Sequence, residues 1–196
     1  MNTRPPLLKG TGGQSILEFA VILPLALLLV LGVIEVGYAL VDQHLVTRLT
    51  REGSNLISRD TSLEDAATVM KTMSSPPVDF TTTSRLIFSV IKRGGTTGTA
   101  NYDKLILYQR YEYGALSASS KLQIRGSGSF AGAPDFEADN SDSNTGLQVT
   151  NVASNLVSVK GGMIYITEIY TTHALITPLD GFGVAVPKLL YSIAYF

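Results

Sequence analysis

From Phe19 to Ile34 the chain carries sixteen consecutive residues without a charge, and past Glu35 the apolar character resumes through Val36, Tyr38, Ala39, Leu40 and Val41 before Asp42. At 1.5 Å per residue, a helix over Phe19 to Val41 is about 35 Å long, enough to cross a hydrocarbon core of about 30 Å. A membrane span is therefore the first inference. A cleaved secretory signal competes, because Arg4 and Lys9 form a basic region ahead of the run. It fits poorly: the run exceeds an ordinary h-region, no small-x-small site closes it cleanly, and Glu18 stands where an h-region should begin. Arg4 and Lys9 precede the span, whereas Glu35 and Asp42 are the first charges after it. The N-terminus is accordingly expected in the cytoplasm and the bulk of the chain outside it.

Composition narrows the function classes. The 196 residues suit one exported domain plus an anchor. A formal net charge of -1 points to neither nucleic acid nor an acidic surface as a partner. The absence of cysteine excludes disulfides, thiol catalysis, zinc thiolates and iron–sulfur clusters. His44 and His173 belong to no H-E-x-x-H or G-x-S-x-G motif, and no phosphate-binding Gly loop precedes a helix. Asp103, Glu112 and Glu168 are scattered carboxylates of the kind usually solvated at sheet edges. We expect no enzyme and no cofactor.

Glu18 is the informative residue. A carboxylate at the mouth of a span either frames the helix start, favoured by the helix dipole, or has a partner. Here a Gly stands five residues before it, a basic leader precedes the Gly, and an apolar helix follows. This arrangement resembles the class III signal of type IV pilin-like proteins. More narrowly, Gly13-x4-Glu18-Phe19-Ala20-Val21-Ile22-Leu23-Pro24, the Leu-rich run, and Gly32-Val33-Ile34-Glu35-Val36-Gly37 resemble the N-terminal signature of TadE-type minor pilins (pseudopilins) of the tight-adherence (Tad/Flp) pili.

The resemblance implies a cut by a prepilin peptidase between Gly13 and Gln14, leaving Glu18 as the fifth mature residue with Phe19 behind it. In the resembled family that carboxylate pairs with a neighbouring subunit's free amine during docking. Within one chain, the new amine would lie one helical turn from Glu18, roughly 6 Å along the axis. An ion pair at low dielectric gives register more reliably than net stability. Pro24 removes a backbone donor from the helix interior, so a kink or local melting is expected there, which fibre packing can use. The implied partners are the prepilin peptidase, other pilins and minor pilins, the Tad assembly machinery of the bacterial inner membrane, and membrane lipid.

Along the chain, residues 1–13 read as a leader, with Pro5 and Pro6 against helix, 14–60 as a transmembrane and stalk helix, and 61–196 as an exported globular domain. Tyr38, Val41, Leu45, Leu49 and Leu56-Ile57 continue an apolar stripe to about Ser58, interrupted by Gly53, which either weakens the helix or marks a close backbone contact. The stripe packs on its own domain after Leu45 or is shared with neighbouring subunits. Asp60-Thr61-Ser62 then restarts a helix over Leu63 to Met73, with Ser62 and Asp65 approximating a capping box. Arg85–Lys92 and Lys104–Tyr113 read as a hairpin about Gly94–Gly98, Met163–Thr171 as the strongest strand, and Leu189–Phe196 as a last one. Gly114–Gly146 reads mainly as loop, with a strand-like interruption at Leu122–Ile124. Its acidic stretch Asp135–Asp142 fails as a calcium loop, since Asn140 stands where Gly is wanted and Gly146 where a bidentate Glu is wanted; no metal site is expected. Tyr108, Tyr111 and Tyr113 read as packing aromatics or an adhesive patch.

The fold class expected is therefore α+β: a long N-terminal helix and an antiparallel sheet. The function expected is a minor pilin-like subunit of a Tad-type pilus, held in the inner membrane before entering a fibre, with a part in surface adherence. The alternative is a bitopic membrane protein whose exported domain senses or binds without being polymerised.

Overall fold

A computed structural model describes residues 12–59, 61–157, 159–183, 185 and 187–196. The leader up to residue 11, and Asp60 ahead of the second helix, lie outside the described residues. The chain divides into two compact units. One takes the described residues of Met1–Tyr38 and Leu175–Val186; the other takes those of Ala39–Ala174 and Pro187–Phe196.

The first helix, α1, spans Gly12–Ile57 and continues through Pro24 without interruption. The melting expected at Pro24 is not found: proline deletes one donor, and the Leu-rich turns on either side carry the helix past it. α1 is long and apolar enough to cross a membrane. In the first unit its side chains stand almost wholly exposed, Leu17 at 69%, Leu25 at 73% and Val33 at 65% among them. Such a surface suits acyl chains and not water.

In the second unit the buried face of α1 is Val46, Leu49, Thr50, Gly53, Ser54 and Ile57, spaced by three and four. Leu49 and Ile57 of the stripe read from sequence are buried, as packing after Leu45 requires, while Tyr38, Val41 and Leu45 are exposed and Val46, Thr50 and Ser54 join the buried face. The face is rotated because two small polar residues are buried with their hydroxyls satisfied. Thr50 donates to the Val46 carbonyl at 2.7 Å and Ser54 to the Ala194 carbonyl at 2.9 Å. Gly53 marks a close contact: a Cβ there would stand 2.8 Å from Thr167 Cγ2 and 3.1 Å from Met70 Cε.

The second helix, α2 (Leu63–Met73), begins at Ser62, whose hydroxyl accepts from the Asp65 N–H at 3.1 Å and donates to Asp65 Oδ2 at 2.8 Å. It buries Leu63, Ala66, Ala67 and Met70. Four strands follow, β1 (Ser84–Arg93), β2 (Leu105–Tyr113), β3 (Met163–Thr172) and β4 (Leu189–Tyr195), in one antiparallel sheet of order β2-β1-β3-β4. The α+β class and the strand positions agree with the sequence reading.

The central strands are buried on both faces. One face carries Leu86, Phe88, Val90 and Ile169 against α1 and α2 residues such as Val46 and Met70. Ile91, Leu105, Leu107 and Ile166 occupy the other, covered by Leu122 and Val157 from the long β2–β3 connection. That connection, read as mainly loop, touches the sheet through single bridges such as Ile106 to Gln148 and folds back on itself at Ile124 to Val149. The β1–β2 register shifts between Val90 and Ile91. The shift places Leu105 and Leu107 on one face but Tyr111 and Tyr113 on the other.

Candidate functional site

The residues singled out by sequence share the first turns of α1. Gly13, Gln14, Glu18, Phe19 and Pro24 all lie on this helix, so the bond between Gly13 and Gln14 sits in its first turn. A Cβ at Gly13 would meet nothing within 4 Å. The fold thus makes no demand for glycine there, and any such demand belongs to whatever handles the bond. Phe19 is 63% exposed and Glu18 is exposed beside it.

A second carboxylate of the same helix is placed quite differently. Glu35 is fully buried. Its Oε2 accepts from the Thr177 N–H at 2.8 Å and the Thr177 hydroxyl at 2.5 Å, and both of its oxygens accept from the Ile176 N–H at 3.2–3.3 Å. These donors precede a 3-10 turn, Pro178–Phe182, closed by Gly183 in the left-handed region at φ 75°. Sequence reasoning places Glu35 at the end of the uncharged run and inside the resembled motif, and assigns it no partner. The signal available was that a lone carboxylate in an apolar helix requires donors, and the near-chargeless stretch Leu175–Pro187 could supply them.

In the second unit, polar side chains of α1 tie it to the last two strands. Asp42 Oδ2 lies 2.7 Å from Nδ1 of the buried His173 ring. Gln43 donates to the Tyr191 carbonyl at 3.0 Å, on the outer edge of β4. His173 is thus a fastening between helix and sheet.

Asp103, Glu112 and Glu168 are not brought together. Asp103 pairs with Arg93 at 2.9 Å, which holds its carboxyl below the usual range, and Glu112 pairs with Arg85 and Arg110. Glu168 is fully buried in β3. It accepts from the Ser120 hydroxyl, from the Lys121 N–H at 2.8 Å and from the Tyr191 hydroxyl at 2.9 Å, anchoring the β2–β3 connection to the sheet. Burial, then the Glu168 charge, push the Tyr170 phenol up to about 12 and raise Tyr191 as well.

Tyr108, Tyr111 and Tyr113 pack partly buried against the helix-side core. Tyr111 stacks on Phe136 with ring centroids 4.7 Å apart, and Lys71 covers the Tyr113 ring at 3.6 Å. Within the acidic stretch, Glu137 accepts from the Tyr108 hydroxyl and Asp139 from Ser129, both at 2.8 Å. Among the described residues no group of three or more acidic or histidine side chains is arranged to hold a metal ion.

A family model described as TadE-like protein matches residues 13–55. The match starts at Gly13, runs through Glu18 and Glu35, and covers the segment that carries the sequence resemblance. It supports a pilin-like role associated with Tad pili and, with one apolar helix near the N-terminus, suits a single-pass membrane protein. The comparisons with curated proteins and with solved structures give no match.

Proposed function

We propose that the chain is a minor pilin, or pseudopilin, of a Tad-type pilus, cut after Gly13 by a prepilin peptidase and drawn from the inner membrane into pilus assembly and surface adherence. The observation that carries this reading is where the family match begins: at Gly13, five residues ahead of Glu18 at the head of an apolar helix. Before assembly the helix holds the chain in the inner membrane, N-terminus cytoplasmic, with the sheet outside. After the cut, the amine of Gln14 and the Glu18 carboxylate of a neighbouring subunit set the register of docking. Phe19 and the helix around Pro24 belong to the surface other pilins pack against. The exposed apolar side chains of Tyr38, Val41 and Leu45 extend that surface along α1. The chain works by packing against its partners and takes no part in catalysis.

Co-expression with a prepilin peptidase, followed by N-terminal sequencing, tests this. A mature chain beginning at Gln14 supports the pilin reading. An intact N-terminus in the presence of active peptidase supports a bitopic protein that is never polymerised.

A further inference from the structure

Between Thr172 and Leu189 the chain leaves β3 and returns as β4 by a connection much longer than a hairpin needs. Its middle, from Leu175, groups with the apolar half of α1 and not with the sheet it connects. The join is at Glu35, through the donors of Ile176 and Thr177. From that point two residues of lowered exposure, Leu31 and Leu28, run back toward the N-terminal end of α1, whose apolar half is otherwise mainly exposed. Leu28 lies about 10 Å along the axis from Glu35, and Glu35 about 24 Å from Phe19. Leu28 and Leu31 therefore lie within the length of helix that a bilayer covers.

The segment itself has the chemistry of a lipid-facing one. From Leu175 to Pro187 its single charged residue is Asp180. Leu179 is buried, while Ile176 is 57% and Phe182 63% exposed. Irregular backbone survives at membrane depth only where its polar groups are satisfied by protein. Here the Glu35 carboxylate takes the N–H groups of Ile176 and Thr177, Pro178 has none to offer, and the Gly183 N–H donates to the Asp180 carbonyl at 3.1 Å. Glu35 thereby receives the donors that an acid inside an apolar helix requires.

We propose that Leu175–Gly183 is a second membrane contact, a short re-entrant insertion clasped to α1 by Glu35 and presenting Ile176 and Phe182 to the acyl chains beneath the headgroups. The occupant of this surface is lipid. The argument needs only that α1 crosses the bilayer, so it stands or falls apart from the pilin reading.

The chain has no cysteine, so a single one can be placed and labelled. Full-length Phe182→Cys, carrying an environment-sensitive fluorophore, is reconstituted in phospholipid vesicles beside Thr97→Cys, a probe in the exposed β1–β2 turn. A quencher attached high on the lipid acyl chain should dim the Phe182→Cys probe several-fold more than the Thr97→Cys probe, and aqueous iodide should do the reverse. Equal behaviour of the two probes overturns the insertion. Protection that disappears when the protein is diluted into more lipid means that another copy covers the segment, and also overturns it. Adding Glu35→Ala should return the Phe182→Cys probe to iodide, with the Thr97→Cys probe unchanged as the control for folding. Thr177→Val, which removes one of the donors and keeps the volume, should do so partially. Unchanged lipid quenching in both backgrounds removes the clasp and overturns the proposal.

Discussion

At the scale of single residues, the two carboxylates in the apolar half of α1, Glu18 and Glu35, are placed differently. Glu35 is buried with donors around it, whereas Glu18 is exposed near the N-terminal end of α1, in the segment that the proposed docking uses. Glu18→Ala is therefore expected to leave processing and folding intact while depleting the subunit from purified fibres. Quantitative immunoblotting of fibre and membrane fractions checks this, and wild-type abundance in the fibre would contradict it. Gly53 makes the opposite kind of prediction, about stability. Alanine should gain about 1 kcal/mol of helix propensity. The added methyl, however, meets Thr167 Cγ2 at 2.8 Å on a fully buried side chain, and overpacking of this kind typically costs about 1–3 kcal/mol. Gly53→Ala should lower the melting temperature, and Thr167→Ser in the same chain should restore it in part by removing the nearest obstructing methyl, with Met70 Cε still 3.1 Å away. A double-mutant cycle by thermal circular dichroism measures the coupling.

At the scale of elements, α1, α2 and the four strands were legible because each is written in local terms. The apolar run and its basic preface, Ser62 with Asp65, and the β-branched and aromatic stretches all act within a few residues. What was not legible depends on partners distant in sequence. The shift at Val90 and Ile91 is a property of pairing, the buried Thr50 and Ser54 look like solvent positions until their acceptors are known, and the cover over the second sheet face has no periodicity of its own. Glu168 is the clearest case. It read as a sheet-edge charge, yet it lies inside, with Ser120, Lys121 and Tyr191 donating to it. Glu168→Ala leaves those donors without their acceptor, a loss on the order of 2–4 kcal/mol. The chain around exposed Lys121 should then loosen and be cut by trypsin several-fold faster there. Glu168→Gln keeps one acceptor and should be milder. Cleavage at Lys121 at the wild-type rate in both variants would show that the β2–β3 connection is held by Leu122 and Val157 alone.

At the scale of the whole molecule, a chain without cysteine depends on its core layers and on polar fastenings, and several fastenings titrate. Hydroxyls of Thr81 and Thr82 hold the Asp79 carboxyl below its usual range, and Arg93 does the same for Asp103. With folded values depressed, their contribution is complete above about pH 4 and fades as pH falls through those values. The phenols act with the other sign. Burial, aided by Glu137, pushes Tyr108 up to about 12, and burial with the Glu168 charge does so for Tyr170; Tyr191 and Tyr195 are raised as well. A raised folded value means that stability is complete below the unfolded value of about 10 and is lost as pH climbs toward the folded one. The alkaline limb should therefore be the steeper: four phenols are involved, two of them beside the carboxylate that anchors the connection. Absorbance at 295 nm should divide the nine tyrosines into an early group and a late one, the late group rising together with loss of the sheet signal in circular dichroism. Tyr170→Phe should shrink the late group and move the alkaline transition upward in pH, because a phenyl ring keeps the packing and has no proton to lose. A single ionisation of all nine near pH 10, with the sheet intact, would mean that these phenols face water.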